Sequence, residues 1–186
     1  AAQPVATLDA EHDPAVGMVG GSYGGGIQLV VAADDCRVDA IVPIVAWHSL
    51  RTSLFKADTV KTGWATKLTE ASSRGRVDPH VGSAYTSGVE TGRLSDADVE
   101  WFESRGPAEA VARITAPTLI VQGTVDTLFT LDEGVTNLTV LRDAGVPVAM
   151  VWYCDGHGVC LTEAGAEDRV SSAAVATLLN WPLCWA

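Results

Sequence analysis

The stretch Val16-Gly17-Met18-Val19-Gly20-Gly21-Ser22-Tyr23-Gly24-Gly25-Gly26 decides the fold of this chain, because it places the motif G-x-S-x-G between an apolar run and a helical pattern. In this motif, called the nucleophile elbow, the serine occupies a sharp corner where a strand turns into a helix. Small residues are expected two positions on either side of it, here Gly20 and Gly24, to avoid a clash at the corner. The pattern predicts a strand near 15–19 and a helix near 24–33.

Two other glycine-rich motifs do not fit this stretch. The dinucleotide fingerprint needs glycines at positions i, i+2 and i+5, and no register of Gly20 to Gly26 supplies them. A phosphate-binding loop needs a lysine after its last glycine, where this chain has Gly or Ile. No nucleotide or other cofactor is therefore expected. Since G-x-S-x-G also occurs in plain strand-to-helix turns, the rest of the chain has to supply the partners of Ser22.

A carboxylate and an imidazole follow Ser22 in the chain, each just after a predicted strand. Asp126 comes after the apolar run 117–122, and His157 comes after the apolar run 148–153. A serine hydroxyl needs a histidine as base, and the histidine needs a carboxylate to fix its tautomer. The order serine, acid, histidine is the one found in α/β-hydrolases. Because catalytic groups of open parallel sheets gather at the carboxyl ends of the strands, we expect the three to meet there.

With these motifs, the chain resembles α/β-hydrolases of the X-prolyl dipeptidyl-peptidase and cocaine-esterase type. The resemblance implies a serine hydrolase of ester or peptide/amide bonds that acts through an acyl-enzyme. In it Ser22 is the nucleophile, Asp126 the acid and His157 the base, while the N–H of Tyr23 stabilises the oxyanion; no cofactor or metal is implied. The residues that carry the resemblance are Gly20-Gly21-Ser22-Tyr23-Gly24-Gly25, Trp101-Phe102-Glu103-Ser104-Arg105-Gly106-Pro107, Gln122-Gly123-Thr124-Val125-Asp126 and Gly156-His157-Gly158.

The predicted fold is a partial α/β-hydrolase fold in a single domain, residues 1–186. About four parallel strands are expected, the remaining one near 38–46, with helices near 130–144 and 166–180. Residues 48–106, here called the cap segment, are polar and patchily helical, and the resemblance identifies them as a helical cap over the substrate pocket. Four aromatic residues of this segment are expected to line the pocket or to hold the cap on the core: Trp64, Tyr85, Trp101 and Phe102.

The sequence before Ser22 predicts a single strand, whereas an α/β-hydrolase sheet normally has about eight, several of them before the nucleophile. We therefore expect the chain to be the catalytic-triad half of a larger hydrolase. The nucleophile strand would then need the missing N-terminal half or an oligomer partner to cover its exposed edge. In the resembled family the second oxyanion donor is an upstream tyrosine hydroxyl, and no residue of this chain matches its position.

The acid and base assignments have alternatives. Asp126 would also serve as a cap of the following helix, although Thr130 with Glu133 three residues later is the better capping box. Asp155 is closer to His157 in sequence, but a neighbour on the same tight loop rarely points at the ring. The other three histidines lie in polar or turn-like stretches and are interpreted as solvated or structural: His12, His48 and His80.

The four cysteines are too few for a disulfide framework in a chain of this size. Cys154 and Cys160 bracket His157. A zinc site made from these three residues would have only three ligands and would occupy the imidazole, so no metal is expected. A local disulfide between Cys154 and Cys160 remains open, with free buried thiols as the default prediction.

Composition limits the partners. The 186 residues carry a net charge of −11, which argues against binding to nucleic acid or to an anionic membrane surface. No apolar run approaches the ~20 residues of a membrane span, and the amino terminus lacks the pattern of a signal peptide, so a soluble chain is expected. Its compartment is left open, with the cytoplasm favoured. The expected ligand is a small ester or a short peptide.

Three functions are compatible with this pattern. An acyl hydrolase is favoured, but the sequence does not distinguish ester from peptide substrates: an X-prolyl peptidase should offer a carboxylate to the substrate's amino terminus, and none stands out among the acids of the cap segment. A non-catalytic hydrolase-like module would keep the three side chains without a complete oxyanion hole. An acyltransferase would pass the acyl group to an alcohol.

Overall fold

The computed structural model describes residues 15–72 and 75–161 of the chain. Its larger sheet contains β1 (Gly17–Gly21), β2 (Ala40–Ile44), β5 (Thr118–Gly123) and β6 (Val148–Tyr153). Two short strands, β3 (Phe55–Lys56) and β4 (Thr59–Val60), pair as an antiparallel hairpin. The helices are α1 (Tyr23–Asp34), α2 (Leu50–Leu54), α3 (Thr62–Ser72), α4 (Pro79–Thr91), α5 (Asp96–Glu103) and α6 (Leu131–Asp143).

The larger sheet is parallel throughout and has the strand order β1-β2-β5-β6. The central strands are almost wholly buried, which explains why their sequences read as continuous apolar runs rather than as alternating patterns. Because all four strands are parallel, the carboxyl ends of β1, β5 and β6 lie at the same end of the sheet. The predicted fold class, a partial α/β-hydrolase fold, is confirmed, and each of its four strands lies within about two residues of its expected bounds.

The main core lies on one face of the sheet, under α1 and α6. Leu29 of α1 and Leu141 of α6 are fully buried there against Ile41 of β2 and Ile120 of β5. The strand residues that alternate with these two point to the opposite face, where Val42, Leu119 and Val121 form a second cluster. The core thus fixes the sheet from which the Ser22, Asp126 and His157 loops emerge. The predicted helix near 166–180 lies outside the described residues.

The cap segment is helical, as expected, and connects β2 to β5 through α2, α3, α4 and α5. One internal link of this segment is the carboxylate of Asp98 on α5, which is 2% exposed. Ser95 Oγ donates to it at 2.7 Å, Ser83 Oγ at 3.1 Å and His80 Nδ1–H at 2.9 Å, so that α4 is tied to α5. His80 also stacks on Trp101, with 5.5 Å between ring centroids. His80 is therefore structural, as interpreted from the sequence.

Replacing Asp98 is expected to destabilise the cap segment. Burial opposes ionisation of this carboxyl, but hydrogen bonds from Ser95, His80 and Ser83 outweigh burial and hold its pKa below the usual value. Asp98→Ala should lower the free energy of unfolding by about 2 kcal/mol near neutral pH, because three donors lose a buried acceptor. Glu100→Ala, an exposed change on the same helix, is the control. Chemical denaturation measures both.

The pH dependence of that difference has a defined sign. A carboxyl with a lowered native pKa stabilises the fold above its unfolded pKa of about 4, and this stabilisation is lost as the pH falls through the native pKa. The stability gap between the wild-type chain and Asp98→Ala should therefore begin to shrink below about pH 4. A gap that widens on acidification would contradict the role given to Asp98.

The sequence-based capping box of α6 is not formed. Thr130 stands at the N-cap position, but its side chain makes no cap hydrogen bond and instead accepts one from Lys56 Nζ. Glu133 is 3% exposed and turns away from its own helix end. Its carboxylate accepts the N–H groups of His48 and Ser49 at 2.8 and 2.9 Å, at the start of α2. A long-range contact with the cap segment therefore replaces the local one.

No helix among the described residues is both long and apolar enough to cross a membrane.

Candidate active site

The corner after β1 has the strained backbone that the motif predicts. Ser22 has φ 54° and ψ −118°, a conformation that side-chain-bearing residues rarely adopt. Its N–H donates to the carbonyl of Ile44 at 2.8 Å, and its own carbonyl accepts the N–H groups of Gly25 and Gly26 at 2.9 and 3.0 Å. These bonds hold the turn between the end of β2 and the first turn of α1.

The structure corrects which glycines the corner requires. A Cβ at Gly20 would lie 3.0 Å from Gln28 Nε2 and 3.1 Å from the carbonyl group of Gly24, so a small residue is needed there as predicted. The prediction that position 24 also needs a small residue was wrong, because a Cβ at Gly24 would meet no atom within 4 Å outside its own helix. The second tight position is Gly25, whose Cβ would lie 2.9 Å from the carbonyl oxygen of Ile44. At Gly25 the nearest crowding atom therefore belongs to β2, with the carbonyl oxygen of Gly20 on β1 slightly farther away at 3.2 Å.

Gln28 is a positioning residue that the sequence analysis missed. It is 2% exposed. Its Nε2 donates to the carbonyls of Gly20 and Gly24 at 3.2 and 2.8 Å, and its Oε1 accepts the N–H of Val42 at 2.9 Å. One side chain therefore holds together the end of β1, the start of α1 and β2. The available signal was a lone polar residue between Ile27 and Leu29 on an otherwise apolar helix.

Ser22, His157 and Asp126 form one continuous chain of hydrogen bonds. His157 Nδ1–H donates to Asp126 Oδ2 at 2.7 Å, and His157 Nε2 lies 2.8 Å from Ser22 Oγ. Because an ionised carboxylate only accepts, the proton of the neutral ring is on Nδ1, which leaves Nε2 to accept the Ser22 hydroxyl proton. The structure thus brings together three side chains that are 31 and 135 residues apart in sequence.

Asp126 also holds the two loops in place. Its side chain is fully buried. Oδ1 accepts the N–H groups of Leu128 and Phe129 at 2.9 and 2.7 Å, and Oδ2 accepts the backbone N–H of His157 at 3.1 Å in addition to the ring. The carboxylate therefore caps its own loop rather than α6. Asp155, the lesser candidate, uses its Oδ1 to accept the N–H of Gly156.

Aromatic residues enclose the imidazole of His157, whose side chain is 17% exposed. Phe129 and Trp64 meet the ring edge-on at centroid distances of 5.1 and 5.7 Å. Trp64 Nε1–H donates to Thr127 Oγ1 at 3.1 Å, which ties the cap segment to the Asp126 loop. Trp64 thus holds the cap on the core, while three other aromatics of the cap segment line a cavity: Tyr85, Trp101 and Phe102.

A disulfide closes the His157 loop. Cys154 and Cys160 are bonded with a Cα–Cα distance of 5.3 Å. The default prediction of free buried thiols was therefore wrong, and the alternative of a local disulfide is the observed one. Cys36 is a free thiol, but it is exposed rather than buried. Cys184 lies outside the described residues. Because both ends of the loop are covalently joined, His157 has a narrower range of positions than on an open loop.

Gly158 lies where the two loops meet. A Cβ at this position would overlap the carbonyl oxygen of Val125, on the loop that carries Asp126. Gly158→Ala should therefore push the His157 loop away from Asp126. A displacement of about 1 Å at a reacting group can cost about 100-fold in rate.

We expect Gly158→Ala to lower ester turnover by about that factor and stability by about 1–3 kcal/mol. Gly82→Ala, at an open position in α4, is the matched control and should leave turnover unchanged. Turnover and thermal unfolding of both variants check this prediction. Equal turnover in the two variants would show that the loops do not touch as described.

The remaining histidines and acids of the region take structural roles. His48 Nδ1 lies 2.8 Å from Asn137 Oδ1, as expected for a structural histidine, and His12 is outside the described residues. Within 15–72 and 75–161, no group of three or more metal-ligating side chains is close enough to hold a metal ion.

Burial, together with the charges of Asp155 and Asp126, raises the pKa of Tyr153, so this phenol stays protonated beside the site.

The parallel sheet, the strained serine corner and the Ser–His–Asp chain define the α/β-hydrolase class of serine hydrolases. A family model described as X-Pro dipeptidyl-peptidase (S15 family) matches residues 5–153, most of the chain. The chain belongs to this family, and the resemblance stated from the motifs is confirmed. No curated protein matches the sequence.

Solved structures show the same fold at low sequence identity. An acylaminoacyl peptidase from Pyrococcus horikoshii is 16% identical with a TM-score of 0.62, over 90% of this chain and 24% of that one. Dipeptidyl peptidase 4 from Porphyromonas gingivalis is 17% identical with a TM-score of 0.59, over 92% and 20%. A puromycin-hydrolyzing peptidase from Mycobacterium tuberculosis is 19% identical with a TM-score of 0.56, over 87% and 21%. This chain therefore spans about a quarter or less of the length of these proteins.

Proposed function

We propose that this chain carries the catalytic triad of an acyl hydrolase that cleaves ester or amide bonds. The observation that carries the proposal is the unbroken hydrogen-bond chain from Ser22 Oγ through His157 to the buried carboxylate of Asp126. A histidine held in the Nδ1–H tautomer and bonded to a serine on a strained corner is the arrangement that activates a hydroxyl.

In the proposed mechanism Ser22 Oγ attacks the substrate carbonyl carbon while His157 Nε2 takes the hydroxyl proton. The imidazolium that forms is stabilised by the Asp126 carboxylate and passes its proton to the leaving alcohol or amine. Water then attacks the acyl-serine, with His157 acting as base again, and the acid is released. Asp126 stays ionised throughout and orients the ring.

The N–H of Tyr23 is the proposed oxyanion donor. Tyr23 is the first residue of α1, so its N–H has no carbonyl partner four residues earlier in the helix, and it follows the nucleophile directly. We propose that a second donor comes from the remainder of a larger hydrolase, since this chain spans about a quarter or less of the length of its structural relatives. Loss of one such donor costs about 10²- to 10³-fold in turnover, so the 186-residue chain alone should be a slow catalyst.

The free side of β1 supports a proposed partner. Within the described residues β1 pairs with β2 alone, and three apolar residues around it are exposed by 38 to 50%: Val16, Val19 and Ile27. The unpaired N–H and C=O groups of such a strand edge, next to apolar surface, form a template for pairing with another strand. We propose that it is covered by the remaining strands of a larger hydrolase sheet or by an oligomer partner.

Hydrolysis of p-nitrophenyl acetate and of a peptide p-nitroanilide by the 186-residue chain tests the proposal. We expect slow, saturable ester turnover above the rate in buffer, at about 10²- to 10³-fold below ordinary enzymic rates. Turnover indistinguishable from buffer in folded protein would instead support a non-catalytic hydrolase-like module. Turnover at ordinary enzymic rates would contradict the need for a second donor from elsewhere.

A further inference from the structure

A cavity of about 500 Å³ lies between the cap helices and the nucleophile corner. Tyr23, the residue after Ser22, forms part of its wall. Leu50 and Leu54 form another part of the wall and pack against the apolar cluster that contains Phe129. Phe129 in turn touches the ring of His157. The triad side chains themselves do not line the cavity, which approaches the site through Tyr23, the neighbour of Ser22 in sequence. Its volume is typical of a site for a small organic ligand.

The interior of the cavity is mainly apolar. The wall contributed by α3, α4 and α5 is mainly aliphatic and aromatic, with Thr69 and Ser72 as polar residues of α3. Leu68 on α3 lines the cavity and is 42% exposed. An apolar residue left this exposed beside a cavity gains contacts when an apolar group enters. The apolar residues of this wall are Ala65, Leu68, Val81, Ala84, Tyr85, Trp101 and Phe102.

The charged residues on the wall are unsuited to a cationic ligand. Among the described residues that line the cavity, Lys61 and Arg76 are cations and Asp78 is an acid. Asp78 already accepts the N–H of His80 at 3.0 Å as the N-cap of α4. Lys61 Nζ donates to the carbonyl of Leu128 at 2.7 Å, which keeps a positive charge at the side nearest the triad. An ammonium group in this cavity would lose water beside two cations and one carboxylate that is already hydrogen-bonded, which is unfavourable.

From this cavity we infer the substrate class: esters or amides whose acyl part is bulky, apolar and free of an amino group. This inference rests on the proposed function. It separates the chain from a dipeptidyl-peptidase activity, which requires a free amino terminus on the acyl side of the scissile bond. The acyl group occupies the space under α3, α4 and α5, while its carbonyl lies between Ser22 and the N–H of Tyr23.

Ligand binding to the Ser22→Ala variant tests the inference without turnover. Four p-nitroanilides are compared by calorimetry at about pH 6.5, where an α-amino group is protonated. They are those of acetic acid, phenylacetic acid, Gly-Pro and N-acetyl-Gly-Pro. We expect the phenylacetyl compound to bind about tenfold or more tightly than the acetyl compound, because the phenyl ring is buried. We expect N-acetyl-Gly-Pro to bind about tenfold more tightly than Gly-Pro.

Two further substitutions in that background locate the ligand. Ala65→Phe fills the cavity and should weaken phenylacetyl binding by about tenfold. Ala71→Phe, an exposed position of the same helix outside the cavity wall, should change it less than about twofold. Leu68→Glu, at a position exposed enough to tolerate the change, places a carboxylate on the wall and should reverse the preference in favour of free Gly-Pro.

The outcomes separate this inference from the proposed function. Equal or tighter binding of free Gly-Pro, no binding of any of the four compounds, or unchanged phenylacetyl binding in Ala65→Phe would overturn the substrate class. Failure of the proposed function would give a different result: the wild-type chain would show no ester turnover, while the binding preferences of Ser22→Ala would be unchanged.

Discussion

Ser22→Ala is expected to reduce ester turnover to the rate in buffer, the largest effect that any single substitution should have. The hydroxyl is the atom that forms the acyl-enzyme, and neither His157 nor Asp126 is placed to replace it as nucleophile. Removal of a triad serine in a complete enzyme costs about 10⁶-fold in kcat, and the loss here is bounded by the slower starting rate. Measurement of kcat for p-nitrophenyl acetate checks this.

Ser104→Ala is the matched control for that experiment. Ser104 is an exposed serine at the end of α5, where its hydroxyl donates only to the carbonyl of Trp101 at 2.8 Å. Its loss should leave turnover unchanged. If Ser22→Ala and Ser104→Ala had the same activity, the hydrolysis would arise from another group on the protein and Ser22 would not be the nucleophile.

Asp126→Asn is expected to lower kcat by about 10⁴-fold while leaving KM nearly unchanged. The amide keeps the shape of the carboxylate and can still accept the loop N–H groups of Leu128 and Phe129 through Oδ1. Its NH₂ group, however, cannot accept the Nδ1–H of His157. The ring would switch to the tautomer with a proton on Nε2, and that nitrogen could no longer take the proton of Ser22.

Asp155→Asn separates this effect from a general loss of negative charge near the ring. Asp155 is two residues from His157 and accepts the N–H of Gly156 at 2.9 Å, a bond that asparagine can also accept. We expect kcat to stay within about twofold of wild type, as for an exposed surface substitution. A large loss in Asp155→Asn with little loss in Asp126→Asn would reverse the assignment of the acid.

The sheet and the approximate positions of its helices could be predicted from the sequence because they depend on local patterns. Continuous apolar runs mark β2 and β5 as buried on both faces. A glycine ends β5 just before the Asp126 loop, and another glycine follows β6 in the His157 loop. That His157 lies within hydrogen-bonding distance of both Ser22 and Asp126 could be predicted for the same reason. Each of the three residues follows a strand that the sequence pattern predicts. Because the strands are parallel, their carboxyl ends lie at the same end of the sheet, and the three side chains meet there.

Features that depend on long-range contacts were missed or predicted wrongly. The Thr130–Glu133 capping box has the right local spacing, but Glu133 instead accepts N–H groups at the start of α2, more than 80 residues away. The partners of Gln28 come from two strands and a helix, which no sequence window contains. The spacing of Cys154 and Cys160 is equally compatible with thiols, and the loop that the disulfide closes contains a turn at Gly156, with φ 125°, that the spacing does not predict.

Mapping of a fluorophosphonate adduct tests the central claim most directly, because the probe reacts with a serine only where a neighbouring base has activated it. The folded 186-residue chain is treated with the probe, digested and analysed by mass spectrometry. We predict one adduct, on the peptide that contains Ser22, which is lost in Ser22→Ala and strongly slowed in Asp126→Asn. An adduct on another residue, or none in protein that unfolds cooperatively, would contradict an activated serine at this site.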